Sequence, residues 1–102
     1  MKGESNIRRG ILSAGDSEAI AVEVLGRLAA EPDRLSRFMS LGGLDAGSIR
    51  DAASQPGFLP AVLDHVAADE PLLLAVADEL GHRPELLMEA RRRLSPEPDW
   101  NP

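Results

Sequence analysis

The sequence of 102 residues contains no cysteine and only three aromatic residues, Phe38, Phe58 and Trp100. Without cysteine the chain has no disulfide, no thiolate metal ligand and no cysteine nucleophile. With so few aromatic rings, the core has to be built from aliphatic side chains, each of which contributes about 1.5–3 kcal/mol when fully buried. We therefore expect many modest contacts to stabilise the fold. The lack of cysteine also fits a reducing compartment, and we predict a cytoplasmic protein.

Long apolar runs and an excess of basic residues are missing as well. No uncharged run reaches the roughly 18 residues that suggest a membrane-spanning helix. The formal net charge is −6, so the chain repels phosphate backbones and anionic lipid surfaces. We expect no membrane segment, no targeting signal and no nonspecific binding of nucleic acid.

Apolar residues that recur every three or four positions predict an all-α fold, a compact bundle of five to six short helices without strands. We divide the chain into a flexible lead-in (1–15), a single all-helical domain (16–95) and a disordered polar tail (96–102). The alternative for the lead-in is that Ile7, Ile11 and Leu12 dock on the core. Trp100 in that tail is either an idle terminus or a short anchor motif. The predicted helices begin at Asp16 or Ser17, at Glu31-Pro32, after Asp45, near Phe58, after Asp69 and at Pro84.

The fifth predicted helix is apolar on all sides between Pro71 and Ala77. A helix with this pattern is usually one that the fold buries completely. We therefore predict that it is the central and most buried helix of the bundle.

The two halves of the chain resemble each other when one is shifted by thirty-nine positions. Glu31-Pro32 then falls on Glu70-Pro71, and Leu41-Gly42 falls on Leu80-Gly81. Each half becomes a long helix, a corner of an acidic residue and proline, a second helix, a glycine stop and a third helix. Either the fold contains two pseudo-repeated three-helix units, or two helical units share caps, glycines and leucines by chance. Unrelated crossing angles in the two units would rule out the repeat.

Three stretches between Arg34 and Leu94 carry a resemblance to a known family: RLSRFMSLGGLDAGSIRDAA, PGFLPAVLDHVAADEPLLLAVA and PELLMEARRRL. The chain resembles small bacterial proteins that are grouped as domain of unknown function 3572. This resemblance implies an all-helical cytoplasmic fold. It transfers no catalytic or binding residue, because the family has no assigned activity.

Few residues suggest catalysis or metal binding. His65 and Asp69 are one helical turn apart, but a stable metal site needs three or four convergent ligands, and Asp69 is also a predicted cap. No serine lies in a nucleophile elbow, and Gly42-Gly43 lacks the lysine and hydroxyl of a phosphate-binding loop. We predict no metal, no cofactor and no enzymatic activity.

Residues 76–94 have the spacing of a helix-turn-helix, with glycine in the turn between two helices. A recognition helix presents its first turns to DNA. Here those turns carry Glu85 and Glu89, whereas the three arginines of residues 91–93 come late in the helix. We therefore expect helix-turn-helix geometry without DNA binding, and keep a nucleic-acid-binding module as the alternative function.

An excess of apolar side chains points to protein binding. Residues 72–74 place leucines on nearly every side of one helix, which is more than a two-layer domain easily covers. An exposed groove of leucine and methionine would accept an amphipathic helix or form a homodimer face. The alternative is that the first and last helices cover all of it. We predict a protein–protein interaction module, with an unknown partner or a second copy bound through Met39, Leu72, Leu73, Leu74 and Met88.

Overall fold

The computed structural model describes residues 12–94, and this part of the chain forms six α-helices and no strand. The predicted all-α bundle is confirmed. Within the same residues, none of the helices combines the length and the hydrophobicity that crossing a bilayer requires. The helices are α1 (Ala14–Ala29), α2 (Pro32–Leu41), α3 (Ile49–Ala53), α4 (Phe58–Ala67), α5 (Glu70–Leu80) and α6 (Pro84–Leu94).

Helix α1 begins earlier than predicted because its N-cap is Ser13. The Ser13 hydroxyl accepts a hydrogen bond from the Asp16 backbone N–H at 3.0 Å, and the Asp16 carboxylate accepts one from the Ser13 N–H at 3.3 Å. These two reciprocal bonds form a capping box. The prediction that Asp16 or Ser17 caps α1 is therefore wrong. Asp16 is the second half of the box, and Ser17 lies one residue deeper, fully buried.

The core of the bundle extends upstream to Leu12, which was assigned to the flexible lead-in. Leu12 is 1% exposed, and its carbonyl oxygen accepts a hydrogen bond from Arg93 Nε at 2.8 Å. Residues 12–15 therefore belong to the helical domain, and the predicted boundary at residue 15 is corrected. The rest of the predicted lead-in and the predicted tail 96–102, with Trp100, lie outside the described residues.

The central helix is α1, which packs against α2, α4, α5 and α6, and most extensively against α6. Its inward stripe repeats at Ile20, Val24 and Leu28, which are all at most 4% exposed. The prediction that α5 is the central helix is wrong. Its apolar run exceeds what the neighbouring helices cover, so α5 buries only Leu73, Val76 and Ala77.

A glycine with a positive φ follows both α2 and α5: Gly43, two residues after α2, has φ +71°, and Gly81, directly after α5, has φ +75°. The Leu44 N–H donates to the Met39 carbonyl oxygen at 2.7 Å, and the equivalent bond after Gly81 is 2.9 Å long. This is the bonding pattern of a Schellman cap. Glycine adopts the left-handed conformation there without the strain that a Cβ would introduce.

Helix α3 is short and peripheral, and none of its five residues is buried. Ile49 and Ala52 are half-buried, and Ala53 is exposed. The Asp45 carboxylate accepts two backbone N–H bonds at 2.9 Å from the second and third residues after it. It therefore caps the turn that leads into α3 rather than the helix itself. Among the described helices, α3 packs mainly against α4, and this contact is small.

Candidate partner-binding groove

A groove separates the end of α2 from the beginning of α5. We call it the α2/α5 groove; its volume is about 430 Å³. Two contacts show that these helices run in opposite directions. Arg34 near the start of α2 binds Glu79 near the end of α5, and the end of α2 faces the start of α5 across the groove. The residues that line the groove include Arg37, Leu41, His65, Asp69, Glu70 and Pro71.

Glu79 joins the helices at the other end of the α2–α5 pair. Nη1 and Nη2 of Arg34 donate to the two carboxylate oxygens of Glu79, both at 2.9 Å, and Arg27 Nε on α1 donates at 3.1 Å. The hydrogen bonds from Arg34, aided by Arg27, lower the pKa of Glu79 to about 2. The same contact raises the pKa of the Arg34 guanidinium. This network fixes α2 relative to α1 and α5.

His65 on α4 lies beneath the groove. Its ring packs edge-on against Phe38, with the centroids 5.2 Å apart, and Phe38 packs edge-on against Phe58 at 5.9 Å. His65 Nε2 is buried and has no hydrogen-bond partner among the described residues. Burial lowers the pKa of His65 below its ordinary value, and the attraction of Asp69 opposes this shift. The imidazole is therefore a neutral aromatic wall at neutral pH.

Two exposed leucines flank the groove. Leu41, which lines it, is 69% exposed, and Leu74 is 47% exposed. Leu74 follows Pro71 by three residues, and residues three apart on a helix are neighbours on its surface, so it continues the α5 wall. Val22 on α1 is similarly exposed, at 54%, but it does not line the groove.

The five predicted partner-binding residues have different positions in the fold. Leu74 is exposed beside the groove, as just described. Leu73 is only 8% exposed and is a core residue, so the prediction that it contacts a partner directly is corrected. Met39, Leu72 and Met88 are half-buried and pack against the core, and Met88 also lines a separate cleft on α6. Partner binding by these residues stays a prediction.

Sequence reasoning missed Leu41, because it follows Phe38 by three residues and so belongs to the same apolar stripe. Phe38 is 4% exposed, whereas Leu41 is 69% exposed. The difference arises because α2 ends at Leu41 and no described helix covers its last turn. The available signal was the apolar residue placed directly before the glycine pair that ends the helix.

The polar contacts of the described residues hold the fold together. Asp69 caps α5, as predicted, with its Oδ1 accepting from the Leu72 N–H at 3.2 Å. His82 Nε2 lies 2.9 Å from Glu23 Oε1 and joins the turn before α6 to α1. Between residues 12 and 94, no three histidine, aspartate or glutamate side chains come together as a metal site would require. The α2/α5 groove thus offers a partner an apolar surface with charged side chains on both of its walls.

The arginines at the end of α6 are engaged within the fold. Arg91 Nε binds the Asp64 carboxylate at 2.7 Å, Arg92 pairs with Glu89, and Arg93 holds the Leu12 carbonyl oxygen. The exposed cleft along α6 also contains Glu85 and Glu89. This face therefore combines carboxylates with arginines that already have partners, an unfavourable arrangement for binding phosphates.

Comparison with curated proteins and with solved structures finds no match. The family model described as "Protein of unknown function (DUF3572)" matches residues 14–97. The match covers all six helices and both walls of the α2/α5 groove. It therefore confirms the resemblance seen in the sequence, and the chain belongs to the family of proteins of unknown function DUF3572.

Proposed function

We propose that this chain is a non-catalytic protein-interaction module that binds its partner in the α2/α5 groove. The observation that carries the proposal is the 69% exposure of Leu41 at the edge of a concave surface. Leu74 extends the apolar wall on α5. Large apolar side chains gathered at a groove with a polar rim are typical of binding sites, because a partner removes their surface from water.

The rigidity of the groove also supports the proposal. The bidentate contact between Arg34 and Glu79 holds α2 against α5 at the end of the helix pair away from the groove, and Phe38 anchors α2 in the core. Asp69 caps the first turn of α5. A preformed groove loses little conformational entropy when a partner binds, so a modest apolar area can give measurable affinity.

Nucleic-acid binding has less support, since the arginines of α6 are already paired with other groups of the chain. A cytoplasmic setting is part of the proposal, and the absence of cysteine from the sequence supports it.

Affinity capture with matched variants tests the proposal. The full chain is tagged in the cell that encodes it, as the wild type, as the double variant Leu41→Asp/Leu74→Asp and as Val22→Asp. Val22 is the control, because it is an apolar residue outside the groove whose exposure lies between those of Leu41 and Leu74. We expect the double variant to lose proteins captured by both the wild type and Val22→Asp, by about tenfold or more in quantitative mass spectrometry.

Circular dichroism of each purified variant verifies that the helical content is unchanged. If the folded double variant captures the same proteins, an untagged copy of this chain among them, in the same amounts as Val22→Asp, the groove is not the binding surface and the proposal fails.

A further inference from the structure

The walls of the α2/α5 groove carry opposite charges that the fold leaves unpaired. Arg37 lies on the α2 wall and Glu70 on the α5 wall, and both are exposed. Neither forms an ion pair with another residue in the described part of the chain. By contrast, the guanidinium groups of Arg27 and Arg34 are engaged by Glu79. Among the residues described, the groove therefore presents one unpaired cation, Arg37, opposite two acids without an ion pair: Asp69, which caps α5, and Glu70.

A two-fold axis through the groove would pair these charges. It would place the α2 wall of one copy against the α5 wall of the other, so that each Arg37 would face the partner's Glu70. A two-fold interface uses the same patch on both copies and therefore has to be self-complementary. A wall with a free cation opposite a wall with a free anion meets that requirement.

The apolar parts of the groove are self-complementary in the same sense. Each copy offers a projecting side chain, Leu41, and a recess next to it that is partly walled by Pro71. In a two-fold pair, Leu41 of each copy would enter the recess of the other. Apolar burial would supply the affinity, and the two charge pairs would set the register, because exposed ion pairs contribute more to specificity than to affinity.

We propose that the occupant of the α2/α5 groove is a second copy of this chain, held in a two-fold dimer by Leu41 and by two reciprocal pairs of Arg37 with Glu70. This inference rests on the proposed function and names its partner.

Sedimentation equilibrium of the full chain, from micromolar to several hundred micromolar, tests the dimer. We expect a reversible monomer–dimer equilibrium for the wild type and for Val22→Asp. Leu41→Asp is expected to weaken dimerisation by about tenfold or more, because it would place two carboxylates in the apolar part of the interface. Circular dichroism verifies that each variant is folded.

Charge reversal tests the arrangement itself. Arg37→Glu alone would place glutamate opposite glutamate, and Glu70→Arg alone would place arginine opposite arginine, so each variant is expected to weaken its own dimer by about tenfold or more. An equimolar mixture of the two variants restores both opposite-charge pairs across one interface. The mixture is therefore expected to form a heterodimer with nearly the affinity of the wild type.

A wild type that stays monomeric at the highest concentration overturns the second-copy inference. The proposed function then still depends on the capture experiment, which reports partners of other sequence. A dimer that Leu41→Asp leaves intact, or single reversals whose mixture shows no gain, would also overturn the inference, because the copies would then associate through another surface.

Discussion

The two halves of the bundle, α1–α3 and α4–α6, carry the same markers at a constant spacing of thirty-eight residues. The alignment at thirty-nine positions had matched the prolines, but Pro32 is the first residue of α2, whereas Pro71 is the second residue of α5. Proline is tolerated early in a helix, so it fixes the register less well than a cap or a left-handed glycine. The matched markers are the C-caps Ala30 and Ala68, the N-caps Glu31 and Asp69, and the glycines Gly43 and Gly81.

The halves differ most in their third helices. Helix α6 has eleven residues and packs against α1, α4 and α5, whereas α3 has five residues and packs mainly against α4. In the thirty-eight-residue register, Ile49 corresponds to Leu87. Leu87 is 1% exposed, while Ile49 is half-buried. A common order of caps therefore does not give common packing, and the pseudo-repeat stays a prediction that the crossing angles would test.

The unequal halves also explain why the candidate groove lies where it does. Helix α2 packs extensively against α1, and α3 does not cover its end. In the same register, Leu41 corresponds to Glu79. The second half thus has an ion-paired glutamate where the first half exposes a leucine. This departure from the repeat, at the most exposed of the large apolar residues described, favours a specific role for Leu41.

The largest expected effect compares the third helices directly. Leu87→Ala removes a fully buried side chain, so we expect it to lower the free energy of unfolding by about 2–5 kcal/mol. Ile49→Ala removes a half-buried one and is expected to cost less than about half of that. Urea denaturation followed by circular dichroism measures both. Equal losses would contradict the peripheral position of α3.

The glycines that end α2 and α5 decide the register of the repeat. Gly43→Ala and Gly81→Ala each force a Cβ into the left-handed region, and we expect each to cost about 1–2 kcal/mol. Gly42 has φ −90°, a value open to alanine, but a Cβ there would lie 3.3 Å from the Phe38 carbonyl oxygen, so any loss in Gly42→Ala comes from this contact and not from the backbone conformation. Thermal or urea unfolding ranks the three variants. If Gly43→Ala and Gly81→Ala cost clearly different amounts, the two helix ends are not equivalent and the thirty-eight-residue register is wrong.

The ion-pair network at Glu79 ties the two halves together and predicts a pH dependence. The pKa of Glu79 is about 2 in the folded state and 4.5 ordinarily. A carboxylate with a lowered pKa stabilises the fold fully above its unfolded value, and this contribution is lost as the pH falls from about 4.5 towards about 2. Between these two pH values, the free energy of unfolding measured in urea is therefore expected to fall less steeply for Glu79→Gln than for the wild type.

At neutral pH, Glu79→Gln is expected to be less stable than the wild type, because the glutamine has no charge to pair with Arg34 and Arg27. Asp78→Asn is the matched control: Asp78 is the neighbouring acid on α5 and forms no ion pair with a described residue. If both variants give the same pH profile, the network does not stabilise the contact between α2 and α5.

Much of the fold was predictable because local rules placed its elements. Glycines, prolines and the Asp69 cap marked helix boundaries, and periodic apolar residues marked the inward stripe of α1. The start of α1 was missed because Ser13 and Asp16 both fit a cap, and the reciprocal bonds between them decide the outcome. The central helix was misassigned, since an apolar sequence does not specify which neighbours cover it.

The candidate site was less predictable, because it depends on contacts between distant residues. Leu73 and Leu74 were both predicted to bind a partner because they lie in the same apolar run, but only Leu74 is exposed and Leu73 is buried. The contact between Arg34 and Glu79, which ties α2 to α5, joins residues forty-five positions apart in the sequence. Spacing within one helix cannot reveal such a contact. Only the glycine pair after Leu41 hinted that this leucine would lie uncovered.

The smallest expected effect concerns the first turns of α1, which have no counterpart at the start of α4. Ser17 is fully buried there, and its hydroxyl has no hydrogen-bond partner among the described residues. Ser17→Ala removes an unsatisfied buried hydroxyl without opening a large cavity. We therefore expect the free energy of unfolding to rise by no more than about 1 kcal/mol. Ser17→Val is the control, since overpacking this site is expected to cost about 1–3 kcal/mol. If urea unfolding shows that Ser17→Ala is clearly destabilised, the Ser17 hydroxyl has a hydrogen-bond partner in solution. The first turns of α1 are then held by a polar contact instead of by close packing.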